Sequence, residues 1–180
     1  VPDSTSTLRL TADATLNDSA VLAVGTLALE NFALTLDDTM AGLSVSQAVT
    51  LDAATEQINS GAADLTLNGG ITVSAGTLSS SGGTLSASSL SAGDAGIINI
   101  EGGTLSLPGG ATAVSGATFS TSGTTLQLGG SLNLADTWAS TTTNLSLTAN
   151  ADLTSTAAVE AATLETNGFN FMLGSETSDL

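Results

Sequence analysis

The 180-residue chain contains no cysteine, histidine, lysine or tyrosine, and Arg9 is its only cation. Without cysteine it has no disulfides or thiolate metal sites, and without cysteine and histidine it has no Ser–His or Cys–His nucleophile. Seventeen carboxylates give a net charge of −16. One cation cannot neutralise a row of phosphates, which excludes nucleic acid as a partner, and an anionic membrane surface would repel the chain.

Long apolar runs are absent as well. No stretch approaches the roughly 18 residues of a membrane-spanning helix, so we expect no membrane insertion. Charged residues make up only 10% of the chain and the mean hydropathy is +0.34, which is not the composition of a disordered acidic tail. The chain begins at Val1 without a basic and then apolar leader. We therefore expect residues 1–180 to be one domain that belongs to a longer chain.

Short phrases recur at a period of about 20 residues. "GGTLS" begins at Gly82 and again at Gly102, and the glycine pair at Gly109 returns at Gly129. Apolar residues follow the same period in three interleaved series, which predicts three sides per repeat. The series are Leu65, Leu85, Leu105, Leu126, Leu145, Leu164; Ile58, Leu78, Ile98, Phe119, Trp138, Val159; and Val73, Leu90, Val114, Leu134, Leu153, Phe171.

The N-terminal part is predicted to follow a slightly shorter period. There the first series begins at Leu8 and continues through Leu27 and Val45 to Leu65. The second is extended through Leu22 and Met40 to Ile58.

Each run is short and alternates apolar with polar residues, as in "ITV" (71–73) and "LQL" (126–128). Such alternation places apolar side chains on one face of a strand. Residues 54–58 and 156–165 could form helical turns, but they fall on the periodic series and are interpreted as strand and turn. The pattern predicts an all-β, three-sided parallel β-solenoid of about nine coils of 18–21 residues. A β-sandwich or barrel is the alternative, although its strands would not keep one phase through the sequence.

Three segments carry a resemblance: "LTLNGGITVSAGTL" (65–78), "INIEGGTLSL" (98–107) and "TTLQLGGSLNL" (124–134). They resemble the repeats of bacterial surface β-helices of the filamentous-haemagglutinin and autotransporter-passenger type. The resemblance implies a right-handed β-helix, secretion, and a role as stalk, adhesin or matrix component. It carries over no catalytic residue.

Glycine pairs at 69–70, 82–83, 102–103, 109–110 and 129–130 could in principle cradle phosphate. A phosphate loop needs a following helix or a lysine, and neither is present. The pairs are therefore interpreted as corner turns between the sides of the solenoid.

The acidic residues could bind Ca²⁺, which takes six to eight oxygen ligands. The best local candidates are Leu36–Asp38 and Gly93–Gly96, but neither matches a known calcium loop. Solvated turn carboxylates are the favoured interpretation. No metal or cofactor residue is predicted, and only weak Ca²⁺ binding is left open.

No catalytic residue is predicted either. Lyases on β-helices need a basic residue, and Arg9 stands near the end of the chain. Hydrolases can work with two carboxylates, but Asp37 and Asp38 are expected on opposite faces of a strand, unlike a cooperating pair.

Two further features have a structural and a functional interpretation. Trp138 occupies a position in the second series, so it is interpreted as a core residue, with an exposed ring stacked on sugar as the alternative. Threonines in 120–125 and 141–143 are expected at turns and out of register, which disfavours an ice-binding array.

These features predict a secreted or cell-surface structural rod without enzymatic activity. Because a solenoid segment exposes strand edges at its ends, its expected partners are another copy of the chain or flanking repeats. Surface glycans are a further expected partner. The alternative is a β-helix that binds or processes polysaccharide.

Overall fold

The computed structural model describes residues 5–136, 138–154 and 158–173. Within these residues the chain forms strands and turns, without any helix, and more than half of the residues lie in strands. The first twelve strands are β1 (Thr7–Arg9), β2 (Ala14–Leu16), β3 (Val21–Val24), β4 (Thr26–Ala28), β5 (Ala33–Leu36), β6 (Gly42–Val45), β7 (Val49–Leu51), β8 (Gln57–Asn59), β9 (Asp64–Leu67), β10 (Ile71–Val73), β11 (Thr77–Ser80) and β12 (Thr84–Ala87). The others are β13 (Leu90–Ala92), β14 (Ile97–Glu101), β15 (Thr104–Leu107), β16 (Ala111–Ala113), β17 (Thr118–Ser122), β18 (Thr125–Leu128), β19 (Leu132–Leu134), β20 (Trp138–Leu147), β21 (Ala151–Leu153), β22 (Val159–Glu165) and β23 (Phe171–Leu173).

The strands form three long sheets, and the chain visits them in rotation. The six-stranded sheet has the order β17-β14-β11-β8-β5-β2, the eight-stranded sheet β22-β20-β18-β15-β12-β9-β6-β3, and the seven-stranded sheet β23-β21-β19-β16-β13-β10-β7. β1 and β4 form a separate two-stranded sheet. All pairings among the described strands are parallel. The fold is a three-sided parallel β-solenoid, as predicted, and not a sandwich.

The eight-stranded sheet defines eight turns, close to the predicted nine. One residue of each of its strands stacks directly on the next. We call this set the leucine column: Leu22, Leu43, Leu65, Leu85, Leu105, Leu126, Leu145 and Leu164. The predicted series from Leu65 to Leu164 is therefore confirmed. The series from Ile58 to Ile98 and Phe119 is also in register. Trp138 pairs with Val159, but in the eight-stranded sheet, so the predicted step from Phe119 to Trp138 is not a strand pairing within the described residues.

The N-terminal series are wrong except for the step from Leu8 to Leu27. Leu22 pairs with Leu43 in the eight-stranded sheet, whereas the partner of Ile58 is Leu34 in the six-stranded sheet. Leu8 does pair with Leu27, but Val45 pairs with Leu67 and not with Leu65. The coils here are unequal rather than uniformly shorter: 19 residues separate Leu8 from Leu27, and 24 separate Leu34 from Ile58.

The third series is wrong at every step, because the pairings of this sheet are offset from the predicted ones. Val73 pairs with Ala92, and Leu90 pairs with Ile71. Val114 follows β16 and is 45% exposed, since the inward residues of that strand are Ala111 and Ala113. Each strand of this sheet from β7 to β21 has two buried positions two residues apart, so periodicity alone does not distinguish them.

The core is one continuous cluster between the three sheets. Leu65, Leu85, Leu105 and Leu126 are each at most 1% exposed. Leu164, in the last strand of the eight-stranded sheet, is 41% exposed because no described strand covers it. Burial of one coil thus depends on the coil stacked on it, as expected for a repeat fold.

The three-sided cross-section changes at β20, which runs for ten residues. Its register with β22 shifts between Ser140 and Asn144. The possible helical turns at 54–58 and 156–165 are not helices: the described parts belong to β8 and β22 and their flanking turns, while residues 155–157 lie outside the described residues. None of the described segments forms a helix long and apolar enough to cross a membrane.

Candidate functional site

Polar side chains form an outward row on the six-stranded sheet. Pairing places one residue from each strand in this row: Thr15, Thr35, Asn59, Ser79, Asn99 and Ser120. They alternate with inward residues such as Ile58 and Leu78, which are fully buried. The alternation that builds the core therefore also aligns hydroxyl and amide groups along the outer face.

A cleft of about 450 Å³ lies along the middle of this row. Its floor is formed by Thr35, Asn59, Ser79 and Asn99, from four successive strands. We call it the polar cleft. Cavities of this size accommodate small molecules or a segment of a polymer.

Three carboxylates line the polar cleft: Asp37, Asp38 and Glu101. β5 ends at Leu36, so both aspartates lie in the following turn. The prediction that they occupy opposite faces of a strand is therefore wrong, and the turn brings both to one cleft.

Each of these carboxylates accepts at least one hydrogen bond from the protein. Asp37 Oδ1 accepts from the hydroxyl of Thr39 at 2.5 Å and from its backbone N–H at 2.9 Å. These bonds, the hydroxyl first, lower the pKa of Asp37 from its ordinary value of 3.8.

The other two carboxylates are tied to neighbouring structure. Asp38 Oδ1 accepts from the backbone N–H of Ala62 at 3.1 Å, and Glu101 Oε1 accepts from Asn99 Nδ2 at 3.2 Å. The second oxygen of each has no hydrogen bond within the described residues. The cleft therefore presents fixed acceptors beside the neutral floor.

The calcium candidates Leu36–Asp38 and Gly93–Gly96 are not brought together. The first lines the polar cleft, and the second forms the turn before β14, closed by a bond from the Gly96 N–H to Gly93 O at 3.0 Å. In the part of the chain that the structure describes, no three acidic residues are grouped as a metal site would require.

Several carboxylates outside the cleft accept hydrogen bonds from the backbone of the adjacent coil. Asp64 Oδ1 accepts from the Thr84 N–H at 2.7 Å, and Asp136 Oδ2 accepts from the Gly116 N–H at 2.7 Å. Each pair is separated by 20 residues, one period of the solenoid. The sequence analysis interprets such carboxylates as solvated. The signal that it misses is an Asp placed one period, 20 residues, from the residue whose N–H it binds.

Glu56 is a buried acid that sequence reasoning did not single out, with 6% of it exposed. Its Oε1 accepts from the Asn31 N–H, and its Oε2 accepts from the N–H groups of Asp52 and Ala53. Three backbone donors satisfy the carboxylate, so its role is to fix the turns of two coils.

Trp138 is a core residue, as predicted, and is 2% exposed. Its indole N–H donates to Thr121 Oγ1 at 3.0 Å, and its ring meets Phe119 edge-on with centroids 6.0 Å apart. Thr121 also accepts from Thr143 in a buried network that includes Ser140. An exposed ring for sugar stacking is thereby ruled out.

The threonines at 141–143 lie inside β20 and not at a turn, which corrects the prediction. They fall where the register with β22 shifts, so they form no regular array with that strand. The prediction for 120–125 is wrong for Thr121 and Thr125, which lie in β17 and β18. Thr125 is in register with Thr104, which pairs with Thr84.

The glycine pairs occupy turns, as predicted. Gly110 has φ of +87°, and a Cβ there would lie 2.1 Å from the carbonyl oxygen of Ser131. A side chain at this position would therefore be strained and would also collide with the adjacent coil.

No protein-family model, curated protein or solved structure matches this chain.

Proposed function

We propose that the chain is a segment of a secreted or cell-surface structural rod, of the filamentous-haemagglutinin and autotransporter-passenger type. The observation that carries this proposal is the leucine column, in which eight successive coils keep one register. Periodic stacking of this kind supplies length and stiffness without depending on a single residue.

Two further properties support the rod. Carboxylates such as Asp64 and Asp136 connect neighbouring coils through backbone N–H groups, so polar side chains reinforce the stacking. The net charge of −16 makes copies repel one another laterally and keeps a repetitive β-surface hydrated. Contacts with other molecules would then be made by the outer faces of the rod, or by flanking repeats and further copies that stack on its ends.

Surface location is tested on intact cells that produce the protein. We expect an antibody against residues 60–150 to label unpermeabilised cells and external protease to remove the label. Labelling that appears only after permeabilisation contradicts the proposal. A cytoplasmic protein of the same cells serves as the integrity control.

Polysaccharide processing is the second candidate, favoured only by the three carboxylates of the polar cleft. Incubation with a set of polysaccharides, followed by assays for reducing ends and unsaturated sugars, tests it. Turnover that is lost in Glu101→Gln but kept in Asp94→Asn would establish an enzyme in place of a rod. We expect no turnover with either variant or with the unmodified chain.

A further inference from the structure

We propose that the polar cleft binds a segment of a neutral oligosaccharide. Its floor alternates hydroxyl and amide groups on four adjacent strands: Thr35, Asn59, Ser79 and Asn99. Carboxylate oxygens stand at its edge. The inference goes beyond the structural role and stands independently of it.

The side chains of the floor offer both donors and acceptors. Asn59 Oδ1 accepts from the Gly61 N–H at 3.0 Å, while its Nδ2 and the hydroxyl of Ser79 have no partner within the described residues. Sugar hydroxyl groups also donate and accept, so they can satisfy amides and hydroxyls at once. The spare oxygens of Asp37, Asp38 and Glu101 can accept from further sugar hydroxyls.

The spacing of the floor fits a polymer that lies across the strands. Adjacent strands are about 4.8 Å apart, so four strands present equivalent groups over roughly 14 Å. The repeat of an extended pyranose chain is close to that spacing. Each sugar residue can therefore meet one strand.

Charge selects among the ligand classes. An anionic polysaccharide is disfavoured by the net charge of −16 and by the carboxylates of the cleft itself. A bound cation is disfavoured because no three acids of the described residues come close enough together to hold a metal ion, and because Asp37 and Asp38 each already accept a backbone hydrogen bond through one oxygen. A neutral glycan fits the neutral floor and uses the carboxylates only as acceptors.

The matched variants are Ser79→Tyr and Ser106→Tyr. Both serines lie at the third position of a four-residue strand with the same alternation of half-buried and buried residues. Ser79 is in the cleft floor, whereas Ser106 is on the eight-stranded sheet. Tyrosine is favoured in strands, so both variants keep the backbone compatible with the fold, and circular dichroism verifies that they fold.

Binding is measured on an array of neutral glycans and then by calorimetry with the best tetrasaccharide. We expect saturable binding that Ser79→Tyr weakens by at least roughly tenfold, equivalent to about 1.4 kcal/mol, and that Ser106→Tyr leaves unchanged. Absence of binding to every neutral glycan, or an equal loss in both variants, overturns the proposal. Saturable binding of CaCl₂ with no glycan response overturns it as well.

Discussion

The carboxylate of Asp64 accepts a hydrogen bond from the backbone N–H of Thr84 at 2.7 Å, across one full coil. The bond links two neighbouring coils, because Asp64 is the first residue of β9 and Thr84 is the first residue of β12.

Removal of this bond should destabilise the solenoid. We expect Asp64→Ala to lower the free energy of unfolding by about 1 kcal/mol, because the Thr84 N–H loses its charged acceptor. Urea denaturation followed by circular dichroism measures the change. Asp94→Ala is the control, since the Asp94 carboxylate makes no hydrogen bond within the described residues, and an equal loss in the control would contradict the assigned role.

Substitution in the middle of the leucine column should lower the free energy of unfolding more than loss of the Asp64 hydrogen bond does. Leu105 is fully buried between Leu85 and Leu126. Leu105→Ala should cost about 2–5 kcal/mol, since it removes buried surface and leaves a cavity. Ile97→Ala, at a residue that is 41% exposed, should cost far less under the same denaturation conditions. Comparable losses would show that the column does not carry the stability.

Trp138 provides a spectroscopic probe, because it is the sole tryptophan. We expect blue-shifted emission and weak quenching by acrylamide, as follows from its burial. Thr121→Val removes the acceptor of the indole N–H and should lower stability by about 1–3 kcal/mol. Ser120→Val changes the neighbouring outward residue and should leave emission and stability nearly unaltered; strong quenching of the unmodified protein would refute the buried placement.

Asp37 should titrate below its ordinary value, because Thr39 donates to its ionised form. Its pKa is lower in the folded state, so its contribution to stability is present above the ordinary value of 3.8 and is lost as the pH falls through the folded pKa. In Thr39→Val the hydroxyl donor is gone and the pKa should rise. Carboxyl ¹³C shifts followed by NMR measure the titration. Ser79→Ala, which lines the same cleft without bonding Asp37, should leave it unchanged.

The sequence predicts the solenoid best where each strand repeats one apolar pattern at a constant period. That condition holds from Leu65 to Leu164, and every pairing predicted there for the leucine column is present. It fails before residue 65, where turns of unequal length separate the strands. Leu43 and Val45 both face the core. An error of two residues in the predicted register therefore leaves the same face apolar, and the alternation of the sequence cannot detect the error.

The polar cleft is harder to predict for a related reason. Asn59 and Asn99 are 40 residues apart in the sequence, and only the exact pairing of three strands through Ser79 aligns them. Likewise, the turn after Leu36 brings Asp37 and Asp38 to one side, whereas continuation of the strand would separate them. The arrangement of side chains on the outer surface depends on strand register and turn geometry, and the apolar periodicity of the sequence predicts neither with the accuracy needed.

The leucine column makes the coil a unit that can be excised. Deletion of the 20 residues 85–104 would join Thr84 directly to Leu105, and the chain would resume at the same point of the repeat. Leu65 would then meet Leu105 in the place of Leu85, and the remaining sides would close over the gap in the same order. Length in this protein is therefore a quantity that duplication or loss of whole coils can adjust in steps of one strand spacing, without redesign of the interior.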